Sequence, residues 1–293
     1  EELRPRPGCT TTAPMMMNTL FAANCWTWDV DPVLLDIYGP LQLRWYGLCF
    51  VLVFATGYAF YNWQFKRGGF DDEMASRFVN LGVFAVVAGS WFGHRLFYEF
   101  DRVLENPFYL IDVSNGLSGL ASHGATIGLL VALFWFAKRE KIPVWQATDR
   151  FAWSATMGII LVRFWNLMNS VIIGRKTDVA WAICMTRVDA RLSGGVPTPR
   201  HPSQLYEVAM GILILLLLFA LDKAFGKEKR PPWLMTSAFL MSFGVLRFTV
   251  EFFKAHQTLD PNSLLTMGQV LSIPVFLLGL GVGIYALKNA KKN

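Results

Sequence analysis

Long apolar runs separated by short charged stretches dominate the chain. A bilayer core takes roughly 20 apolar residues per helix. Seven segments meet or approach that length, at about residues 44–64, 79–98, 118–137, 151–173, 203–222, 233–253 and 267–287. They predict an all-α polytopic membrane protein with seven transmembrane helices. The connection 174–202, between the fourth and fifth spans, is long enough for a small external cap. In it "VAWAIC" reads as a short strand and "LSGGVPTP" as a turn-rich return. Residues 1–17 are polar and Pro-rich, with no apolar core. They read as a disordered N-terminal extension and not as a signal peptide. Residues 18–293 then form one membrane domain without internal repeats.

Composition agrees with this pattern. The 293 residues are 54% hydrophobic and 16% charged, against about 25% charged in soluble domains. The net charge of +6 therefore reads as topology and lipid contact, not as a nucleic-acid footprint. With the N-terminus outside, the cytoplasmic segments 65–78, 138–150, 223–232 and 288–293 hold 14 Lys and Arg. The outer segments hold nine, five of them in 174–202. This favours an outside N-terminus and a cytoplasmic C-terminus. Cys9, Cys25, Cys49 and Cys184 have neither metal-site spacing nor a disulfide framework, so no structural disulfide is expected.

Polar residues concentrate at the outer ends of the spans. Arg44 and Tyr46 open the first, and His94 and Arg95 close the second. Ser122, His123 and Thr126 lie in the outer part of the third. Arg163 is mid-span in the fourth, with Asn166 and Asn169 outward of it. Ser203, Gln204, Tyr206 and Glu207 open the fifth, and Arg247 and Glu251 lie in the outer half of the sixth. The inner halves, such as "LLVALFWF" and "LLLLFAL", offer almost nothing polar. The pattern predicts a polar cavity open outward and sealed inward. Channels and transporters need a polar or gated route through the full thickness, so an enzyme at the outer leaflet fits better.

Each candidate has two readings. A mid-membrane Arg163 is either neutralised by a neighbouring carboxylate or placed to grip phosphate with its planar, permanently charged fork. Arg247 and Glu251, four apart on one helix face, either satisfy each other or aim Arg247 at an anionic ligand. His123, in "SHGATIG", is either a satisfied core residue or a general base, its imidazole titrating near neutrality. In "RHPSQLYE", Pro202 marks a helix start. The stretch is either ordinary capping with Tyr206 as interfacial anchor, or an anion site of helix N–H groups beside Arg200. The four histidines have no i, i+4 pairing for a metal, and no G-x-S-x-G elbow marks a serine hydrolase.

"RHPSQLYE", "SHGATIG", "LRWYGL", "RFWNLMN" and "GVLRFTVEFF" resemble the motifs of the prolipoprotein diacylglyceryl transferase family, in order, over roughly residues 40–255. The resemblance implies an enzyme of the bacterial inner (cytoplasmic) membrane. Such an enzyme moves the diacylglyceryl group of phosphatidylglycerol onto the lipobox cysteine of a preprolipoprotein, forming a thioether and releasing glycerol phosphate. It implies catalytic roles for His123, Arg163, Arg247 and Tyr46. Asn166, Gly174 and Glu251, with the stretch Arg200, His201, Ser203, Gln204, Tyr206 and Glu207, would bind substrate. No metal or cofactor is implied, and the partners are the lipid, the lipobox peptide and the membrane. His123 is the favoured base, with a neighbouring Tyr or the Arg field as the other routes to a thiolate. The chain differs from the family pattern at Trp91, where an Arg is usual, with Arg95 one turn on as a stand-in, and at Phe243, where Tyr is common. Two rival functions remain. One is an outer-leaflet phospholipid-using enzyme with another acceptor; the other is a transporter or receptor for an anionic amphiphile.

Overall fold

The computed structural model describes residues 25–38, 41–112, 114, 121–255 and 263–290. The expected extension 1–17 lies outside these residues. Three short strands come first: β1 (Trp26–Trp28), β2 (Val33–Tyr38) and β3 (Leu41–Arg44). Helices α1 (Trp45–Arg67), α2 (Met74–Tyr98) and α3 (Phe100–Glu105) follow, then a 3-10 turn at Pro107–Ile111. Next are α4 (Ser122–Arg139), α5 (Val144–Met168), β4 (Ile183–Met185) and α6 (Thr186–Leu192). The chain continues with α7 (Ser203–Ala224), a 3-10 turn at Lys227–Lys229, α8 (Leu234–Glu251) and α9 (Met267–Ala290).

Among the described residues, six helices are long and apolar enough to cross a membrane: α1 from Gly47, α2, α5, α7, α8, and α9 as far as Lys288. The expected third span corresponds to α4, whose 18 residues open with Ser122 and His123 and close with Lys138 and Arg139. These polar ends dilute its apolar centre, and residues 115–120 lie outside the described ones. Two boundaries move. Arg44 belongs to β3, which pairs with β2 as an antiparallel hairpin, so it is not part of the first helix. α5 starts at Val144, directly after Pro143, because a proline costs nothing where the helix has no N–H acceptor. Asp149 and Arg150, expected in a solvent loop, are thereby buried.

The central helix is α5, which packs against α1, α4, α7 and α8; α9 lies along α8, and α2 along α4. The α2–α4 contact depends on glycines. A Cβ built on Gly89 or Gly93 of α2 would collide with backbone atoms of Gly124, and one on Gly128 with Ala85. Small residues four apart on both helices let the backbones touch, which is how helices associate without a hydrophobic drive between them.

At the opposite end from the start of α7, the charged connections beyond the apolar inner halves meet in largely buried ion pairs. Arg67 holds Asp222 with two nitrogens, at 2.7 and 2.8 Å, and Glu228 with Nε at 2.9 Å. Arg230 donates to Asp222 at 2.7 Å, and Arg150 to Glu228 at 2.6 Å. Arg150, Asp222 and Arg230 are buried. Arg67 and Asp222 sit in the last turns of α1 and α7, Arg150 in the second turn of α5, and Glu228 and Arg230 in the loop after α7, just past the apolar runs, where converging helices cover one another. Next to them Tyr61, Phe65, Phe78 and Phe136 form a buried aromatic core. The seal at this end is therefore ionic as well as apolar.

The expected absence of a structural disulfide is corrected: Cys25 and Cys184 are bonded, 159 residues apart in sequence. Local cysteine spacing carries no signal at that separation. β1 runs parallel to β4 beside the bond. β4 starts within the predicted strand stretch but extends to Met185, because Ala180 and Trp181 form a turn.

Candidate active site

The site is built where α5 ends, α7 begins and α8 ends. Glu207, one turn into α7, is fully buried. Its carboxylate oxygens accept no hydrogen bond and are held by charge alone. Arg163 of α5 lies 3.4 Å away, Arg247 of α8 3.2 Å and Lys254 3.7 Å. Glu251 pairs with Arg247 on the same face of α8 and with Lys254 at 3.2 Å. Among the described residues, three cations from two segments, Arg163 of α5 and Arg247 with Lys254 at the end of α8, thus surround two carboxylates, leaving one surplus positive charge. The side chains of Arg163 and Arg247 keep 21% and 15% exposure, so the cluster is open on one side. Burial pulls the Lys254 ammonium below the ordinary lysine range, with Arg247 and Arg163 adding to the shift and Glu207 and Glu251 opposing it.

Asn166 follows Arg163 by three residues, on the same face of α5. It is buried, and among the described residues its amide Nδ2 has no hydrogen-bond partner. The Asn166 carbonyl accepts from Val171 N at 3.0 Å and the Leu167 carbonyl from Ser170 N at 2.9 Å, turning the chain sharply after α5. Ser170 and Ile172 take φ of 50° and 57°, costly for a β-branched residue such as Ile172. Two residues of "RHPSQLYE" hold this turn. Gln204 Nε2 donates to the Val171 carbonyl at 2.8 Å and Ser203 Oγ to the Ile172 carbonyl at 3.3 Å.

Gly174 then pairs antiparallel with Lys254. A Cβ here would collide with the His201 carbonyl oxygen, so only glycine permits this approach. Arg175 N donates to the Phe253 carbonyl at 2.9 Å, and His201 N to the Arg175 carbonyl at 3.0 Å. The segments that follow α5 and α8, which carry the cations, and the one that leads into α7, which carries Glu207, are therefore joined backbone to backbone.

The rest of the "RHPSQLYE" stretch is framework around the cluster. Buried Arg200 donates to the Gly174 carbonyl at 3.4 Å, and its Nε has no partner. Tyr206 OH receives the Trp181 indole N–H at 2.7 Å and lies 3.2 Å from His201 Nδ1. The expected crown of free helix N–H groups is largely used up. Ser203 N donates to the His201 carbonyl, and Leu205 N and Tyr206 N to that of Pro202.

Other expected residues lie apart. His123 stands exposed in the first turn of α4, and no hydrogen bond or ion pair among the described residues joins it to the cluster. Tyr46 is the second residue of α1; its side chain lies outside the described residues. Arg95 does not extend the cation cluster. Its guanidinium lies 3.3 Å from the Trp91 ring centre and donates to the carbonyls of Tyr109 and Asp112, both at 2.9 Å. Lys254 is the cluster residue that sequence reasoning missed. Its signal was the i, i+3 spacing from Glu251.

Comparison with known proteins fits this arrangement. The family model described as prolipoprotein diacylglyceryl transferase matches residues 32–285. A phosphatidylglycerol–prolipoprotein diacylglyceryl transferase of Pseudoalteromonas atlantica is 33% identical over 270 residues, covering 90% of this chain and 91% of that protein. Proteins of the same name from Idiomarina loihiensis and Vibrio parahaemolyticus are 36% and 35% identical, covering 88% and 89% of this chain and 94% and 92% of theirs. With a charged cluster built where α5, α7 and α8 meet and this similarity along nearly its whole length, the chain belongs to the prolipoprotein diacylglyceryl transferase family.

Proposed function

We propose that the protein transfers the diacylglyceryl group of phosphatidylglycerol to the lipobox cysteine of a preprolipoprotein. The observation that carries this reading is the cluster of Arg163, Arg247 and Lys254 around Glu207 and Glu251. Its surplus of one positive charge complements the single negative charge of a phosphodiester. In the reaction a sulfur–carbon bond forms at the glyceryl carbon, and that carbon's bond to the phosphate oxygen breaks. Glycerol phosphate leaves with the electron pair and a second negative charge. Fixed cations favour charge that develops in this way, so Arg163 and Arg247 act on the departing phosphate. The unpartnered Asn166 amide supplies a further donor. The thiol, with an ordinary pKa near 8.5, gives its proton to His123, which stands exposed and free to receive it. Tyr46, the second residue of α1, takes a catalytic part as well. Gly174 and the 200–207 stretch hold the substrate pocket in shape.

The finer architecture belongs to the same proposal. α4 serves as the seventh span, in one membrane domain that excludes residues 1–17. Residues 174–202 form an external cap, with the N-terminus outside and the C-terminus in the cytoplasm of a bacterial inner membrane. Two observations support this direction: the bias of Lys and Arg to the other side, and the Cys25–Cys184 disulfide, a bond that persists in oxidising compartments.

The test is direct. The purified protein is incubated with phosphatidylglycerol and a lipobox peptide carrying Cys or Ser. The reading expects a diacylglyceryl mass gain on the Cys peptide alone. Arg163→Ala should lower kcat by about 10²–10³, the usual cost of removing a charge-stabilising donor. Modification of the Ser peptide, or full activity in Arg163→Ala, contradicts it.

A further inference from the structure

The end of α5 carries Arg163 and Asn166, and the turn that follows leads to Gly174. One of the bonds that hold this turn comes from far away in sequence. Trp28, on β1, donates its indole N–H to the Leu167 carbonyl at 3.0 Å. The same carbonyl accepts from Ser170 N, so Trp28 binds the point where the chain leaves the helix. Its ring packs against the buried cluster of Leu167, Ile183, Met185 and Val188.

β1 has three residues, too few to hold a strand in place by pairing alone. The Cys25–Cys184 bond fixes it to β4. β4 has a second connection to the site. Ile183 exchanges both backbone hydrogen bonds with Arg200, each 2.9 Å, and the Arg200 side chain reaches the Gly174 carbonyl. The disulfide-bonded pair of strands therefore touches both ends of the α5 exit turn, at Leu167 through Trp28 and at Gly174 through Arg200.

We propose that β1, locked by the Cys25–Cys184 disulfide, is a strap that positions the α5 exit, with Trp28 as its positioning residue, and that the full rate of transfer requires the cysteine pair to be oxidised. This rests on the transferase reading of the site. A dithiol such as dithiothreitol opens the bond by thiolate exchange through a mixed disulfide. It passes two electrons and two protons to the cysteines and becomes a cyclic disulfide itself. Cys25 and Cys184 are then free thiols, and β1 is held only by its short pairing.

The experiment uses the full chain in phosphatidylglycerol nanodiscs with a lipobox peptide. Wild type is compared oxidised, reduced and reoxidised, with alkylation at Cys25 and Cys184 reporting their state. Reduction should lower kcat about tenfold, the scale of losing a supporting contact behind a functional group, leaving the KM for peptide within about twofold. Reoxidation should restore the rate. The double variant Cys25→Ser, Cys184→Ser should have the low rate and no response to dithiothreitol. Trp28→Phe keeps the ring and removes the donor; it should lower kcat while staying folded. Hydrogen exchange supplies a reading independent of turnover: the amides of Ser170 and Val171 should exchange faster in reduced protein. Unchanged exchange there, with full alkylation, overturns the strap, as does an undiminished kcat in the reduced enzyme. An oxidised wild type that transfers nothing would instead overturn the transferase reading, and the exchange measurement would still decide the strap.

Discussion

Glu207→Gln isolates the charge balance of the site with little change in shape. Glu207 is fully buried and faces three cations at 3.2–3.7 Å. At an effective dielectric near 20, each such attraction is worth about 5 kcal/mol before desolvation is subtracted. Breaking a buried ion pair from one side costs about 3–5 kcal/mol net, because the remaining charge is left uncompensated. The variant leaves three cations against Glu251 alone, so a loss of that size is expected in phosphatidylcholine nanodiscs. A phosphodiester brings back the missing charge. Wild type also gains from binding the phosphodiester, so the gap narrows only by the difference between the two binding gains, about 1.4 kcal/mol for each tenfold by which the variant, with its larger surplus of positive charge, binds the lipid more tightly. The assay is the unfolding midpoint of wild type and variant in the two lipids. The gap between the proteins should shrink in the anionic lipid. An equal gap in both lipids would mean that Glu207 and the phosphate do not share these cations.

Other outcomes follow from the same geometry. Lys254 has its proton affinity lowered by burial from the ordinary 10.5, so the alkaline limb of kcat/KM should fall below the ordinary lysine range, and Lys254→Arg should move it upward. The sign separates charge from folding. The native chain releases this proton before the unfolded chain does, so rising pH through that window favours the fold while activity declines. His123→Gln should insert and fold as wild type does, since no hydrogen bond or ion pair joins His123 to the cluster, yet transfer nothing; near-normal turnover would remove His123 from the mechanism.

Much of the site was legible because its residues obey short helical spacings. Arg163 with Asn166 and Arg247 with Glu251 share helix faces that the sequence displays directly, and their depth was set by the apolar runs around them. Glu207 could be placed near the mouth of its helix, but its position between the cations of α5 and of the α8 end depends on how α5, α7 and α8 converge. Lys254 was hidden because it lies three residues past a helix end, where a lysine normally meets solvent. The Cys25–Cys184 bond joins segments 159 residues apart, and nothing local marks either cysteine. The ionic seal of Arg67, Arg150, Asp222 and Arg230 was missed for a related reason. Each residue looks like an ordinary charge at the end of a span, and only the meeting of those ends buries them. Ser203 and Gln204 were assigned to substrate binding with their motif; that their side chains also bond the carbonyls of the α5 exit turn is a relation between distant segments that the sequence does not display.

The central claim is that cations from different helices grip one phosphate. Its most direct test is the phosphorus-to-nitrogen distance between bound phosphatidylglycerol and the labelled guanidinium groups of Arg163 and Arg247, by solid-state NMR. Both arginines within hydrogen-bond reach of the same phosphate is the predicted result. A phosphate near only one of them, or near neither, contradicts it.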